Sequence, residues 1–306
     1  MINHDLSVVI TTQNRNDDLV RAIKSIKTQS VLPKEVIVVD DGSDVRVHLS
    51  LLSELPNSIL TVIHRNSEPM GANYSRNMGL KLATSTLVSF LDDDDEFYPN
   101  KIEKVLKEYS NTNADIITSK AKVDFINSKS AYTISPSKHV SFETQLIKNE
   151  VGTTSMVTIK REFAVMIGGF SEELPARQDY EAWLKALMNG AKVAVIDDVL
   201  TKINVFLYSS SISKSLNNNY KAIEIIDRKY SSYLARLNQK QIKARKNSTY
   251  LFLCHKYLIS KGAWKGASFA MKSFVKTRSV KFLILSFVLL FGEKGLSAMM
   301  NFRGKK

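Results

Sequence analysis

The chain has 306 residues, 44% of them hydrophobic, which is enough for one large α/β domain with a substantial core plus a smaller appendage. Six prolines and twelve glycines exclude collagenous or long disordered tracts, and a single cysteine, Cys254, excludes an intrachain disulfide framework and suits a reducing compartment. The net charge of +13 is unevenly placed: residues 1–220 carry 24 Lys and Arg against 27 Asp and Glu, whereas 221–306 carry 19 against 3. That asymmetry predicts a boundary near 215–220, where Asn217, Asn218 and Asn219 also break the pattern, and an anionic partner for the tail.

Residues 6–10 are a short apolar run ending in Thr11, Thr12, Gln13 and Asn14, the pattern of a buried strand entering a polar loop. Asn16, Asp17 and Asp18 then start a helix to about residue 28, with Leu19, Ala22, Ile23 and Ile26 on one face. A second buried strand is predicted over 35–39, closed by Asp40, Asp41, Gly42 and Ser43. Strand, helix and strand in so short a stretch make a βαβ unit, so the sheet is expected to be parallel here. No basic region with a long apolar core precedes the first strand, so no signal peptide is expected and the cytosol is the expected location.

A third strand is predicted over 59–64, a helix over 72–83 after Gly71, and a fourth strand over 87–91. This fourth strand runs into Asp92, Asp93, Asp94, Asp95 and Glu96. Like charges this close repel, so a cation, a helix N-terminus or plain solvation must stabilise them. Pro99 suits an early position in a helix to about residue 109. Polar or acidic turns thus end the first, second and fourth strands. If those strands are neighbours, Thr11, Asp41 and the aspartates meet at one sheet edge, the layout of a nucleotide-binding crevice.

Beyond it, 116–125 and 152–159 read as extended, and 127–139 as a polar loop that periodicity does not resolve. A short helix over 161–167 leads into a turn at Gly168, Gly169 and Phe170. A helix over 178–189 has Trp183, Leu184, Leu187 and Met188 as its core face and Asp179 in its first turn. A strand over 192–196 follows, and after Tyr220 the chain reads as wholly helical.

Five stretches, in order, resemble the motifs of the family 2 glycosyltransferases. They are Ser7 to Arg15 (SVVITTQNR), Val38 to Ser43 (VVDDGS), Gly71 to Gly79 (GANYSRNMG), Phe90 to Asp95 (FLDDDD), and Gly168-Gly169-Phe170 followed by Gln178 to Lys185 (QDYEAWLK). The resemblance covers about residues 6–205 and implies the α/β GT-A fold: a Rossmann-like, mostly parallel sheet flanked by helices. It implies a catalytic domain over 1–215, with a nucleotide-sugar half over about 1–110 and an acceptor half over about 111–215. A basic helical region over 216–306 would follow.

The resemblance also implies an inverting, non-processive transfer from a nucleotide-sugar, expected to be UDP-linked, to a saccharide or lipid-linked acceptor in bacterial surface-polysaccharide assembly. Thr11, Asn14 and Asp41 match donor-binding positions, with Asp40 able to share the base contact, and Arg76 matches a donor-nucleotide contact. Asp92 and Asp94 match the D-x-D pattern for Mg²⁺ or Mn²⁺ that would bridge the diphosphate, Asp94 being the direct ligand. Four consecutive aspartates leave the frame open by one, so Asp93 or Asp95 can share that work. Asp179 matches the general base that takes the acceptor hydroxyl's proton; an aspartate in a helix's first turn also complements the helix dipole. Gln13, Gln178 and Lys185 depart from the residues common at those positions. Residues 209–213 look like the family's lid, without the His often found before it. No Gln-x-x-Arg-Trp follows the base helix, so a processive synthase is not expected.

In the basic tail, 282–291 is the most apolar run, and at ten residues it falls short of the ~20 needed to span a bilayer. With Trp264, Phe269, Lys272, Lys276, Arg278 and Lys281 nearby, residues 264–291 fit either a helical hairpin on a membrane surface or helices packed on the catalytic domain. A non-catalytic nucleotide-binding module, or nucleic-acid binding through the tail, are the alternative functions; no nucleic-acid module is recognisable, so no nucleic-acid partner is expected.

Overall fold

The computed structural model describes residues 5–126, 130–206 and 215–303; the expected lid at 209–213 lies outside them. The first half alternates strands and helices as the apolar runs predict: β1 (Leu6–Thr12), α1 (Asn16–Lys27), β2 (Glu35–Asp40), β3 (Leu60–Arg65), α2 (Ala72–Leu82) and β4 (Leu87–Asp92). A two-residue strand β5 (Glu96–Phe97) and α3 (Lys101–Thr112) complete it. In α1 the face of Leu19, Ala22, Ile23 and Ile26 is buried, while Asp17 and Asp18 at its start and Lys24 and Lys27 at its end complement the helix dipole.

The second half comprises β6 (Ile116–Phe125), β7 (Ser130–Ile134), α4 (Phe142–Ile147), β8 (Val157–Lys160), α5 (Arg161–Met166), α6 (Gln178–Met188) and β9 (Val193–Val205). Helices then run to the end: α7 (Leu216–Lys229), α8 (Ser231–Leu234), α9 (Gln239–Lys261), α10 (Ala263–Thr277), α11 (Val280–Leu290) and α12 (Gly292–Arg303). The sheet order is β3-β2-β1-β4-β8-β6-β9-β5, with β7 beside β6. Strands β1 to β4 pair in parallel, β8 runs antiparallel between β4 and β6, and β9 is parallel to β6. All of β2 is buried, as expected of a parallel strand covered on both faces.

One face of the sheet packs Leu6, Val8, Val36 and Val38 against α1 and α3; the other packs Val9, Ile37, Phe90 and Trp183 with α2, α5 and α6. The C-terminal helices are built onto this body. Val123, Phe125 and Tyr132 of the β6–β7 hairpin share a cluster with Cys254 and Leu258 of α9 and Phe282, Leu285 and Leu289 of α11. Tyr180 and Leu184 of α6 pack with Ala222, Ile226 and Tyr230 of the α7–α8 segment.

Three elements differ from the sequence pattern. Part of the expected 127–139 loop is strand β7, paired antiparallel with β6. In 152–159, Thr154–Met156 form a short 3₁₀ turn and only the end is strand. The strand expected to stop at 196 continues to Val205, because after a register shift near Lys120 it pairs again with β6. Asp197, Asp198 and Lys202 hide that continuation, since charged positions carry no apolar signal.

Candidate active site

The parallel register brings the strand ends together: Thr11 pairs with Asp92 across β1–β4, and Thr12 with Asp40 across β1–β2. Thr11 itself is half-buried at this edge. The loop after β2 is shaped by its acids. Asp41 accepts from Asn66 Nδ2 at 2.7 Å, Met70 N–H at 2.9 Å and Gly71 N–H at 2.8 Å, which ties the turn before α2 to the end of β2. A carboxylate has about four lone-pair sites, so Asp41 retains acceptor capacity for a ligand N–H. Asp40 turns inward: fully buried, it accepts from the Ser43 and Val47 N–H groups and from Arg65 Nη1 at 2.8 Å. Burial raises its pKa, but the Ser43 and Val47 bonds and Arg65 outweigh that and hold it below the ordinary value. Its contribution is to brace the loop. Asn14, in a left-handed conformation at φ 55°, donates its N–H to Ser43 Oγ and accepts from Asp44 N–H, clamping the same loop from the β1 side.

The four aspartates form the turn from β4 to β5, and they alternate: Asp92 and Asp94 are half-exposed, whereas Asp93 and Asp95 are buried. Asp93 accepts from Thr12 Oγ1 at 2.8 Å and from Arg15 at 3.1 Å, and Arg15 also reaches Asp94 at 3.0 Å. Asp95 accepts the Asn204 N–H, and Asn204 Nδ2 donates to the Asp94 carbonyl at 2.7 Å, so β9 pins the turn. Burial is the main cause that lifts Asp93 to about 7 despite Arg15. Asp94 is raised by burial and then by Asp92, and Asp95 well above the ordinary value by burial and its two acidic neighbours. Lys101, fully buried, donates to the Ser155 carbonyl at 2.8 Å and Thr201 Oγ1 at 2.9 Å; burial lowers its pKa to about 7 against the pull of Asp95.

Arg76 on α2 joins the two halves of the site. Its Nη2 donates to Asp92 Oδ1 at 2.6 Å, its guanidinium lies 5.5 Å from the Phe170 ring centroid, and its charge also acts on Asp179. Asp179 stands in the first turn of α6 after Arg177, a left-handed residue at φ 57°, and its Oδ1 accepts the Tyr180 N–H at 2.7 Å. Burial raises the Asp179 pKa, opposed by that N–H and by Arg177, Lys256 and Arg76. Arg177 is stacked 4.4 Å from the Tyr180 ring and 4.6 Å from the Phe252 ring, and Lys256 lies 5.3 Å from Phe252. The C-terminal helix α9 is therefore brought beside the start of α6, where Asp179 stands.

Among the described residues, no three His, Cys, Asp or Glu side chains converge as a ready cage for a metal. The donor chemistry nonetheless fits a hard cation. Asp92 and Asp94 offer two part-exposed carboxylates at the rim, the few protein oxygens that Mg²⁺ or Mn²⁺ uses when it keeps water and phosphate ligands. Asp94 is raised first by burial and then by repulsion from Asp92, and a cation beside the two carboxylates would relieve that repulsion.

Residues 7–164 match the profile of glycosyl transferase family 2. The chain belongs to this family. An uncharacterized glycosyltransferase of Haemophilus influenzae is 32% identical over 293 residues, covering 94% of this chain and 96% of that one. A second, from Rickettsia felis, is 26% identical and matches 81% of this chain but only 41% of its own length. The fold is that of the GT-A glycosyltransferases: Staphylococcus aureus TarS superposes with a TM-score of 0.60 at 18% identity, over 98% of this chain and 54% of that one. A TarS fragment, residues 1–349, solved with UDP-GlcNAc, gives a TM-score of 0.57 at 16% identity, over 98% and 92% of the two chains. The protein is a glycosyltransferase.

Five contributors escaped the sequence reading of the site. Arg15 was visible only as part of a motif, although a basic residue in the loop facing five acids is the signal that could have placed it. Lys101 reads as an ordinary helix lysine, and Asn204, Phe252 and Lys256 lie far along the chain with no local mark.

Proposed function

We propose that the chain is an inverting glycosyltransferase that moves one sugar from a UDP-linked donor to a saccharide or lipid-linked acceptor, at the cytosolic membrane face, in bacterial surface-polysaccharide assembly. The observation that carries this reading is the position of Arg76, which pairs with Asp92 at the acidic turn while its charge acts on Asp179 across the cleft. The two poles that such a transfer needs are thereby linked through one side chain. At one pole, Asp41 receives an N–H of the base near Thr11 and Asn14, and Asp92 and Asp94 hold a divalent cation. That cation, when bound, neutralises charge on the departing diphosphate.

At the other pole the acceptor hydroxyl lies against Asp179. Its oxygen bonds to the anomeric carbon while its proton passes to the Asp179 carboxylate. The bond from that carbon to the diphosphate oxygen breaks, and its electron pair leaves with the nucleoside diphosphate. Attack from the face opposite the leaving group inverts the centre and needs no covalent enzyme intermediate. Arg15 and Arg76 keep the acidic turn compact between turnovers.

The test is a panel of nucleotide-sugars assayed for hydrolysis and transfer with Mg²⁺ or Mn²⁺. A uridine-linked donor is expected to be turned over, with loss on exhaustive chelation and recovery on adding the metal back. Product of inverted anomeric configuration, read by NMR, is expected; retained configuration overturns the mechanism. Binding of a nucleotide without turnover of any donor would make the chain a nucleotide-binding module instead.

A further inference from the structure

The C-terminal helices bury one side against the sheet and leave the other apolar. In α11, Phe282, Leu285 and Leu289 are inside the shared cluster, while Val280, Ile284, Phe287 and Phe291 are 61, 57, 60 and 75% exposed. Their spacing of four, three and four residues places them on one line along the helix, continuing through its C-cap. The preceding helix α10, which packs along α11, shows the same arrangement with Trp264, Met271 and Val275 at 80, 39 and 57% exposure. A run of large exposed side chains on two packed helices is a surface that requires a cover.

The cover must also answer charge. Lys265, Lys272, Lys276, Arg278 and Lys281 are exposed along these helices, and neither α10 nor α11 contains an Asp or Glu. A second copy of the chain would set the same cations against one another across a symmetric contact. Anionic headgroups above an apolar layer satisfy both features at once. The 11 residues of α11 reach about 16 Å, roughly half a bilayer core, and no helix among the described residues is long and apolar enough to cross a membrane. A helix of this kind lies along the surface, and an exposed tryptophan at its edge suits the headgroup level.

We propose that α10 and α11 form a docking surface for an anionic phospholipid bilayer, with Ile284 and Phe287 entering the boundary between headgroups and acyl chains and the lysines meeting lipid phosphates. The site is remote from the donor chemistry and stands independently of it. It accounts for the unbalanced cations of α10 and α11, which carry no Asp or Glu.

The experiment is co-sedimentation of the full chain with phosphatidylglycerol-containing vesicles and with pure phosphatidylcholine vesicles. Expected are pelleting with the anionic vesicles that weakens with salt, a loss of about tenfold or more in I284E/F287E, and about fivefold in K276A. Both apolar positions are exposed, so the double variant is expected to keep its circular dichroism and its donor turnover. The control V165E/M166E, altered at exposed positions of α5, keeps wild-type binding. No pelleting of the wild type, or equal pelleting with neutral vesicles at high salt, overturns the proposal. So does a wild-type dimer by light scattering that I284E/F287E abolishes while vesicle binding is absent, which would assign the face to self-association.

Discussion

Replacing Asp179 by Asn removes the carboxylate proposed as proton acceptor but leaves its place in the fold. The amide oxygen can still accept the Tyr180 N–H now held at 2.7 Å, so α6 starts as before. A positioned general base contributes about 10²–10⁴-fold, or roughly 2.7–5.4 kcal/mol at 1.36 kcal/mol per decade. We expect kcat to fall by that amount with the donor KM little changed, because the donor contacts cluster at the other pole. Burial places the Asp179 carboxyl above its ordinary value despite Tyr180, Arg177, Lys256 and Arg76. As pH falls through that raised pKa the group becomes protonated and cannot accept, so wild-type kcat should drop on the acid side and the Asn variant should lack this limb. Steady-state transfer monitored by nucleotide release across the acid range reads both effects. A variant within about threefold of wild type, or one that keeps the acid limb, would refute the assignment.

Lys256→Ala removes a cation that lowers the Asp179 pKa, so the acid limb of kcat should move to higher pH while the donor KM holds; an unmoved limb would show that α9 does not act on the base. Gly79→Ala forces a Cβ to within 2.2 Å of Val9 Cγ1 where α2 packs on β1, an overpacking expected to cost about 1–3 kcal/mol and visible as a lower Tm; an unchanged Tm would contradict the close approach. Glu181 is fully buried and bonded to Lys229 at 2.7 Å, Ser171 at 2.7 Å and Tyr230 at 2.9 Å, so Glu181→Ala should destabilise by about 2–4 kcal/mol in denaturant unfolding, with the half-exposed Lys229 keeping it at the lower end. Although burial raises the Glu181 pKa, Lys229 and Ser171 hold it below the ordinary value. Its stabilisation is therefore full above the unfolded pKa near ~4.3 and fades as pH falls through the folded one; an equal wild-type-to-variant gap at acid and neutral pH would refute this.

The parallel core was legible because buried parallel strands are unbroken apolar runs and their polar ends stand out, as at Leu91–Asp92 and Val39–Asp40. The register that joins Thr11 to Asp92 then follows from neighbouring strands, so the sheet edge that gathers Thr11, Asp41 and the aspartates could be assembled from the sequence. What could not be read was which carboxylates face inward. Asp40 and Asp41 are adjacent and chemically identical, and only the surrounding N–H groups and Arg65 decide that one braces the loop while the other keeps spare capacity. The alternation along the four aspartates is likewise set by the partners Thr12, Arg15 and Asn204, one of them on the distant strand β9. Nor does composition show that a basic tail carries Phe252 and Lys256 to the cleft, because that contact depends on how α9 lies against the β6–β7 hairpin and α6.

Helix α9 has a geometrical consequence for the acceptor. Within the same two turns, Phe252 and Lys256 look toward Asp179, and Cys254 and Leu258, on the opposite side, anchor the hairpin of α10 and α11. A stiff rod, not a tether, thus sets the height of Asp179 above whatever surface the hairpin rests on. An acceptor rooted in that surface would be measured by this gauge: a stalk that is too short cannot present its hydroxyl, and one that is too long must fold back. Length selection of the acceptor would then be written in the pitch of one helix.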